Sequence, residues 1–317
     1  ALLEFAEQKV DLAVLEVGLG GRLDSTNVCQ PLVCGITSIS YDHTKQLGNT
    51  LAAIAREKAG IIKPGVPVVS GVTDVEPAAV IREIAEMNHA PSWVRGVDFD
   101  YEVTVAPVHS GPQFSYVETR AGGVHWKDLK VAMLGRHQAA NAATAVAIVR
   151  RLQELGWKIS EADIRAGLLT SRMPARVEVI PATGNQPTII VDAAHNIASV
   201  TALLETLNEH FPQRPRALIF ATSKDKDAIG MLQKLLPQFE TVFVTQYCNN
   251  PRFTEVEELR AIADDVVRQE RLQTAVVSCE TPLAAWQEIG RLNPQPNAVV
   301  IAGSFFLAAE LMPLIRG

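Results

Sequence analysis

Several residues that could do chemistry stand directly after apolar runs of this 317-residue chain. Glu16 ends the run at 10–16, and three glycines follow it at 18, 20 and 21. A carboxylate at the carboxyl end of a parallel strand faces the crevice where α/β proteins bind ligands, and glycine lets the next backbone approach a ligand closely. Glu16 is therefore a candidate metal ligand. A glycine-rich turn in which Glu16 caps a nearby helix is the alternative, and it stays open on these residues.

His43 stands in the same position after the apolar run at 32–39. If the two strands are neighbours, His43 lies beside Glu16. Imidazole and carboxylate can together hold a divalent cation, with phosphate oxygens completing its coordination. A single histidine in a loop is commonly only a hydrogen-bonding residue, but the coincidence of two strand ends favours the metal interpretation.

A third group surrounds Asp192 and His195, which follow an apolar run and precede a helical pattern. Both are expected to face the crevice of a second sheet, with Arg176 at the hinge before it. Capping of the helix N-terminus is the alternative role for Asp192. Asn141, near the start of a long helix, could bind an anion or an adenine edge or could simply cap that helix.

Two further stretches carry charge without singling out a role. Lys58 stands near the end of a predicted helix, where a basic residue complements the helix dipole, and spacing alone does not distinguish it. The stretch 223–227 (SKDKD) follows a strand and could be no more than a solvated loop. The glycines at 18–21 are not a Walker A loop, since no Gly-Lys-Ser or Gly-Lys-Thr follows them.

The elements that must position these residues alternate between strand and helix. Residues 10–88 indicate a parallel sheet with crossover helices, and 98–106 with 113–119 indicate an antiparallel hairpin, with a further strand at 129–133. Helices are predicted at 135–155 and 161–169. From residue 176 onward, five strands and five helices alternate, which is typical of a doubly wound domain. We place the domain boundary near Pro174, giving domains 1–174 and 175–317.

Composition excludes several classes of protein. The chain has 29 basic and 35 acidic residues, a formal charge of −6, which disfavours a nucleic-acid surface. No apolar run reaches the roughly 18 residues that span a bilayer. The four cysteines are far apart, so neither a disulfide framework nor a zinc site is indicated. We expect a cytoplasmic protein, a monomer, with no nucleic-acid or membrane partner.

Taken together, six ordered motifs resemble the folylpolyglutamate synthases, including the bifunctional dihydrofolate synthases, within the Mur ligase superfamily. The motifs are 15–27 (LEVGLGGRLDSTN), 42–44 (DHT), 56–61 (REKAGI), 192–196 (DAAHN), 225–227 (DKD) and 303–305 (GSF). The resemblance implies an α/β Mur ligase-like ATPase domain followed by a Rossmann-like C-terminal domain. It also implies ATP-dependent addition of L-glutamate to folate or dihydropteroate through an acyl phosphate, with Mg²⁺ neutralising the phosphoryl oxygens.

The resemblance also implies roles for individual residues. It assigns Glu16 and His43 to magnesium, and a carbamylated Lys58 to catalysis together with His195. Asn141, Arg176 and Asp192 would contact ATP, which requires the two domains to close on one nucleotide. The pteroate site would be lined by Leu23, Asp24 and Ser25.

Departures from the family pattern leave alternatives open. Ala175 and Ala193 replace glycines that the family usually has, and both are small. The family's phosphate-binding loop has no counterpart, and the chain opens on Ala1, so we expect an ATPase domain that begins after that loop and is inactive alone. A non-catalytic folate- or nucleotide-binding relic is the alternative. A ligase of cell-wall precursors is a third possibility, which the 19–24 stretch disfavours.

Overall fold

A computed structural model describes residues 2–105, 110–184 and 186–316. Within that part of the chain every helix is too short or too polar to cross a membrane. The helices are α1 Leu2–Glu7, α2 Thr44–Leu47, α3 Leu51–Ala59, α4 Val75–Met87, α5 Arg136–Glu154, α6 Glu161–Thr170, α7 Ile197–His210, α8 Ala228–Leu235, α9 Val256–Glu270, α10 Pro282–Ile289 and α11 Phe305–Arg316. The strands are β1 Cys34–Ile36, β2 Val68–Ser70, β3 Ser92–Val94, β4 Phe99–Val105, β5 Gln113–Glu118, β6 His125–Lys130, β7 Glu178–Ile180, β8 Thr188–Val191, β9 Arg216–Phe220, β10 Thr241–Val244, β11 Ala275–Ser278 and β12 Ala298–Ala302.

The first sheet is parallel, in the order β1-β2-β3, with Cys34 opposite Val68 and Val68 opposite Ser92. Its apolar side chains pack with α3 and α4, and Ile54, Val68 and Ile81 are buried there. The predicted alternation of strands and helices over 32–88 is confirmed. The sequence does not predict β3, because its three residues lie in no longer apolar run, whereas β1 lies within the run at 32–39 and β2 within that at 66–70.

The strand predicted at 10–16 is wrong. The segment has no regular secondary structure, and most of its side chains are exposed, Val14 to 89%. The apolar run fits a buried strand, but a strand forms only where a neighbour accepts its backbone hydrogen bonds. In the described sheet β1 pairs with β2 on one side, and no described strand pairs with its other side. Glu16 therefore does not stand at a strand end.

A second, antiparallel sheet has the order β4-β5-β6. The predicted hairpin is confirmed, except that the last residue of its first strand, Ala106, lies outside the described residues. The third strand, expected at 129–133, lies earlier, at β6. Phe114 on β5 is paired with Leu129 on the neighbouring strand β6. Both pack on the alanine-rich α5, whose residues Ala139 and Ala143 are fully buried. Small residues on α5 let the helix approach the sheet closely.

The third sheet has the order β11-β10-β9-β12-β8-β7. The first five strands are parallel, and helices cover both faces, as predicted for a doubly wound domain. The antiparallel edge strand β7 was not predicted. Pro174 lies between α6 and β7. The boundary at 174/175 stays a prediction. In this sheet the carboxyl ends of β8 and β9 are followed by 192–196 and 223–227, the loops that build the site.

Candidate functional site between the two sheets

Asp42, which follows β1, receives contacts from two loops of the third sheet. Its Oδ1 lies 2.5 Å from Lys226 Nζ and accepts from the backbone N–H of His43 at 2.8 Å. Its Oδ2 accepts from Asn196 Nδ2 at 3.1 Å and lies 3.3 Å from His195 Nε2. Both carboxylate oxygens are therefore occupied by groups from across the interface as well as from its own loop.

The charges in this cluster set the ionisation of its members. Burial opposes the negative charge of Asp42, but hydrogen bonds from His195, Lys226 and Asn196 outweigh it and hold the pKa of Asp42 well below its usual range. Burial lowers the pKa of His43 despite the attraction of the Asp42 carboxylate. His43 is therefore a neutral imidazole at pH 7, beside a charged Asp42.

His43 has the orientation that a neutral ring needs. Its backbone adopts the left-handed conformation (φ 49°) at the start of α2. Lys226 Nζ lies 3.2 Å from His43 Nε2, and an ammonium only donates, so Nε2 accepts and Nδ1 carries the proton. Nδ1 faces Asp225 Oδ2 at 3.7 Å, and Arg252 lies 3.5 Å from the other oxygen of Asp225.

His195 is fixed from both sides. Its Nδ1 donates to the carbonyl of Ala193 at 2.8 Å, and its ring lies 5.7 Å from that of Phe305. The guanidinium of Arg176 lies over the same Phe305 ring, at 4.8 Å from the centroid. Asn196, the next residue, caps α7 by accepting from the backbone N–H of Ser199. The structure thus brings Arg176 and His195 to one aromatic ring.

Asp192 is buried, with 7% of its surface exposed. Its Oδ2 accepts from the backbone N–H of Val177 at 2.8 Å, and its Oδ1 accepts from that of Ala194 at 2.7 Å. Burial raises the pKa of Asp192 although these two bonds oppose the change. Asp192 therefore ties the segment before β7 to the end of β8. Helix capping, the alternative role considered from sequence, belongs to Asn196 instead.

Asn141 lines a cleft of about 440 Å³ between the two halves. Residues after β1 and β2 form one wall, and the first turns of α5 and α7 form the rest, with Asn196 and Ser199 opposite Asn141. A larger cavity, about 700 Å³, lies along the segment around Pro174. Of the predicted site residues it includes only Arg176, and its lining is mainly apolar, so we take the smaller cleft as the centre of the site.

The glycine-rich loop packs on the carboxyl end of α3. A side chain at Gly21 would collide with the carbonyls of Glu57 and Lys58, and one at Gly60 would collide with Arg22. Arg22 pairs with Glu57 at 3.0 Å, and its backbone N–H donates to the Glu57 carbonyl at 2.9 Å. The motifs 15–27 and 56–61 therefore form one packed unit.

Asp24 organises this loop. Its Oδ2 accepts from the backbone N–H groups of Gly18 and Leu19, and its Oδ1 accepts from the N–H and hydroxyl of Thr26. These bonds, those from Thr26 first, lower the pKa of Asp24 to about 2. The neighbouring Leu23 and Ser25 are both exposed. Asp24 thus shapes the loop, and the two residues beside it are free to contact a ligand.

We expect Asp24→Ala to loosen the loop. Because the folded pKa is depressed from 3.8 to about 2, the stabilisation by Asp24 is present above pH 3.8 and is lost as pH falls through about 2. Hydrogen-exchange protection of the Gly18, Leu19 and Thr26 amides should fall at pH 7 in the variant, and should fall in the wild type only as pH approaches 2. Asp11→Ala is the control, since Asp11 makes no hydrogen bond with any described residue. Unchanged protection in Asp24→Ala would contradict this role.

Two predicted residues stand apart from the cluster. Glu16 is exposed and makes no hydrogen bond or ion pair with another described residue. The expectation that His43 lies beside Glu16 at two strand ends is therefore not met, because the first strand does not form. Lys58 is half-buried on α3, and its ammonium has no hydrogen-bond or ion-pair partner in the described ranges.

The residues that link the two halves do not stand out in the sequence. Lys226, with 8% of its side chain exposed, was interpreted as part of a solvated loop. Asp42 appeared only as part of a motif. One signal was available: 192–196 and 225–227 both come after apolar strands of the predicted doubly wound domain, and the carboxyl ends of parallel strands lie at one edge of a sheet.

These features, two α/β units meeting over a cleft at the ends of their parallel strands, define a class of protein. The chain matches the Mur ligase middle domain over residues 1–149 and the Mur ligase glutamate ligase domain over residues 175–305. The fold predicted from the six motifs is thereby confirmed as that of a Mur ligase.

Individual relatives narrow the class. The chain is 35% identical, over 99% of its length, to a folylpolyglutamate synthase of Lacticaseibacillus casei, and covers 69% of that protein. It is 39% identical, over 74% of its length, to a dihydrofolate synthase/folylpolyglutamate synthase of Bacillus subtilis, and covers 54% of it. The structure of Escherichia coli FolC in complex with DHPP and ADP matches 98% of this chain and 68% of that one, with a TM-score of 0.83 at 28% identity. The chain belongs to the folylpolyglutamate synthase family, a family of ATP-dependent ligases.

Proposed function

We propose that the protein encoded by the complete gene adds L-glutamate to a folate-type carboxylate, with ATP as co-substrate. The observation that carries the proposal is the cleft lined by Asn141 and Asn196, where the ends of strands from two sheets converge. Relatives named for folylpolyglutamate and dihydrofolate synthesis, one of them solved with DHPP and ADP, support the choice of substrates.

The chemistry needs activation because a carboxylate is a poor electrophile. In the proposed reaction a carboxylate oxygen of the folate attacks the γ-phosphorus of ATP, and ADP leaves. The amine of L-glutamate then attacks the carbonyl of the acyl phosphate, loses a proton and expels phosphate. In-line phosphoryl transfer depends mainly on positioning and on charge stabilisation, which both halves of the cleft must supply together.

The resemblance implies nucleotide contacts for Asn141, Arg176 and Asp192; we assign direct contacts to Asn141 and Arg176 and an indirect role to Asp192. Asn141 presents an amide to the cleft, and Arg176 holds a guanidinium against Phe305 that no acidic side chain pairs within the described residues. Asp192 has both oxygens engaged, so it acts by fixing the backbone that carries Arg176. His195 stands beside them in a fixed orientation as the proposed catalytic group.

The folate would lie against the glycine-rich loop. Leu23 and Ser25 are exposed there, one apolar and one polar, as contact with a pterin-bearing ligand requires. Asp24, whose carboxylate is saturated by hydrogen bonds, would hold the loop in shape for them.

The described residues do not fit a magnesium ion in the present arrangement. They include no group of three or more metal-binding side chains, Glu16 makes no contact with His43, and the ammonium of Lys226 stands at His43 Nε2. No step above is therefore assigned to the metal. Glu16 and His43 stay the proposed magnesium ligands, and holding one ion together would require the exposed segment 10–17 to move.

That assignment predicts a metal dependence. In the complete gene product, Glu16→Ala and His43→Ala should each raise the Mg²⁺ concentration that gives half-maximal ligation, because each removes one of the few protein ligands that Mg²⁺ uses. Titration of ligation rate with Mg²⁺ measures this, with Glu7→Ala as an exposed-carboxylate control. An unchanged Mg²⁺ requirement would count against both residues.

Lys58 carries a separate prediction. We propose that the amine form of its side chain attacks CO2 and loses a proton, which gives a carbamate that offers a carboxylate. Lys58 is half-buried, and no described residue pairs with its Nζ, so Nζ is free to react. Lys58→Ala should depress ligation, and a short carboxylic acid added to the assay should restore part of the rate. Lys45→Ala, on the nearby α2, is the control. Full activity of Lys58→Ala would refute the role.

We further propose that the protein works in the cytoplasm as a monomer without nucleic-acid or membrane partners. Its formal charge of −6 is the support for excluding nucleic acid. Size-exclusion chromatography with light scattering at several concentrations tests the monomer, and a mass that doubles with concentration would overturn it.

A further inference from the structure

Asp42 and Lys226 form an ion pair that joins the two halves of the molecule at the site. Lys226 Nζ lies 2.5 Å from Asp42 Oδ1, with 8% of the lysine side chain and 20% of the aspartate side chain exposed. A second pair between the halves, Arg136 with Glu209 at 3.0 Å, is much more open, with 66% of the arginine side chain exposed. Exposed pairs contribute little because solvent screens them, whereas a shielded pair couples strongly.

The same pair touches both histidines to which the proposed reaction gives a role. Lys226 Nζ lies 3.2 Å from His43 Nε2, and Asp42 Oδ2 lies 3.3 Å from His195 Nε2. His43 belongs to the loop after β1 and His195 to the loop after β8. One ion pair therefore fixes two rings that the chain supplies from opposite sides of the cleft.

Asp42 has no oxygen left for a ligand. Oδ1 is shared by Lys226 and the His43 backbone, and Oδ2 by Asn196 and His195. An aspartate can bind a metal or transfer a proton. The contacts of Asp42 are instead all with other groups of the protein, as in a residue that holds structure together.

We propose that Asp42 and Lys226 are positioning residues for the ligation, a pair that sets the two domains and the two histidines in register and contacts no substrate itself. The inference rests on the proposed function for its catalytic consequence. Its geometric content, that this pair holds the halves together, is independent of what the protein catalyses.

Interdomain distance is the direct test. Spin labels at Glu86→Cys on α4 and Gln269→Cys on α9, in a Cys29→Ser/Cys248→Ser background, report the distance by pulsed electron resonance. We expect one narrow distribution with Asp42 and Lys226 intact. Lys226→Gln and Asp42→Asn should each broaden it, and the double variant should broaden it no further than either single variant, because the two changes remove one interaction.

Matched variants distinguish loss of this ion pair from loss of any ion pair between the halves or of any lysine in the loop. Arg136→Gln breaks the exposed pair between the halves, and Lys224→Gln removes a lysine from the same loop as Lys226, and both should leave the distribution narrow. Lys226→Arg, which keeps the charge, should narrow it again. Thermal unfolding followed by circular dichroism establishes that each variant is folded. Unchanged distributions in folded Lys226→Gln and Asp42→Asn, or additive broadening in the double variant, would overturn the proposal.

Kinetics of the complete gene product test whether the pair matters for catalysis. A positioning role predicts that Lys226→Gln lowers kcat about ten- to hundred-fold, since a misplacement of about 1 Å is enough to do this, while the KM for glutamate and the Kd for ADP change far less. A fall in affinity with unchanged kcat would make Lys226 a ligand contact and overturn the positioning role. If the wild type does not ligate at all, the proposed function fails, while the distance measurements still decide the pair.

Discussion

Asp192→Ala is expected to lower the free energy of unfolding of the C-terminal half by about 2–5 kcal/mol, because each buried N–H left without a partner costs about 1–3 kcal/mol. The two N–H groups belong to Val177 and Ala194. Val177 and Ala175 both have positive φ, 46° and 54°, a conformation that is unfavourable for a β-branched residue. Asp192 thus holds a strained segment in place, and urea unfolding at pH 7 measures what its loss costs.

The same substitution should also raise the Kd for ADP, by up to as much as loss of Arg176 itself does, because Arg176 lies within that strained segment. Asp98→Ala is a matched control: Asp98 is equally buried, accepts from the Val94 backbone N–H at 2.8 Å and pairs with Arg120, but it lies in the turn between β3 and β4, outside the segment that carries Arg176. It should destabilise the protein while leaving the Kd for ADP unchanged. An Asp192→Ala protein of wild-type stability, or one that binds ADP normally, would contradict the role.

Arg176→Ala should raise the Kd for ADP at least about ten-fold with little change in stability, since hydrogen bonds to charged groups contribute about 1.5–3 kcal/mol. The guanidinium lies over Phe305 and forms no ion pair with an acidic side chain of the described residues, so its charge is available to an anionic ligand. Isothermal titration with ADP on the complete gene product measures the change.

Arg172→Ala controls for loss of any arginine near the hinge. Arg172 is exposed, and its hydrogen bonds go to the nearby carbonyls of Leu169 and Ser171. It should bind ADP as the wild type does. Equal losses in the two variants would point to a general electrostatic effect and remove the specific role of Arg176.

The alternation of strands and helices could be predicted from the sequence because each element carries its own apolar period. The helix predicted at 161–169 forms as α6, and its capping box of Ser160 and Asp163 is also local, since its bonds lie within four residues. The prediction of a strand at 10–16 was wrong. The apolar run is a local property of the sequence, whereas a strand forms only when a neighbouring strand pairs with it. The edge strand β7 was missed because three residues show too little pattern to predict a strand.

The site was predictable in part. The family resemblance implies roles for four residues, and these roles stay predictions: Asn141 lines the cleft, Arg176 and His195 lie against the Phe305 ring, and Asp192 is buried on the backbone N–H groups of Val177 and Ala194. The link between Asp42 and Lys226 spans 184 positions, and only the folded sheets bring these residues together. Both residues lie in family motifs, but their pairing and their burial depend on the folded interface, which the sequence does not display.

Ligation by the complete gene product is the measurement that tests the central claim most directly. Labelled L-glutamate, ATP and Mg²⁺ are incubated with dihydropteroate or with tetrahydrofolate, and labelled product, ADP and phosphate are counted. We predict label in a pterin product with at least one of the two substrates, with one ADP and one phosphate released for each glutamate added. Binding of nucleotide and folate without any labelled product would indicate a non-catalytic relic, label on a UDP-muramyl substrate alone would indicate a cell-wall ligase, and either result would contradict the account.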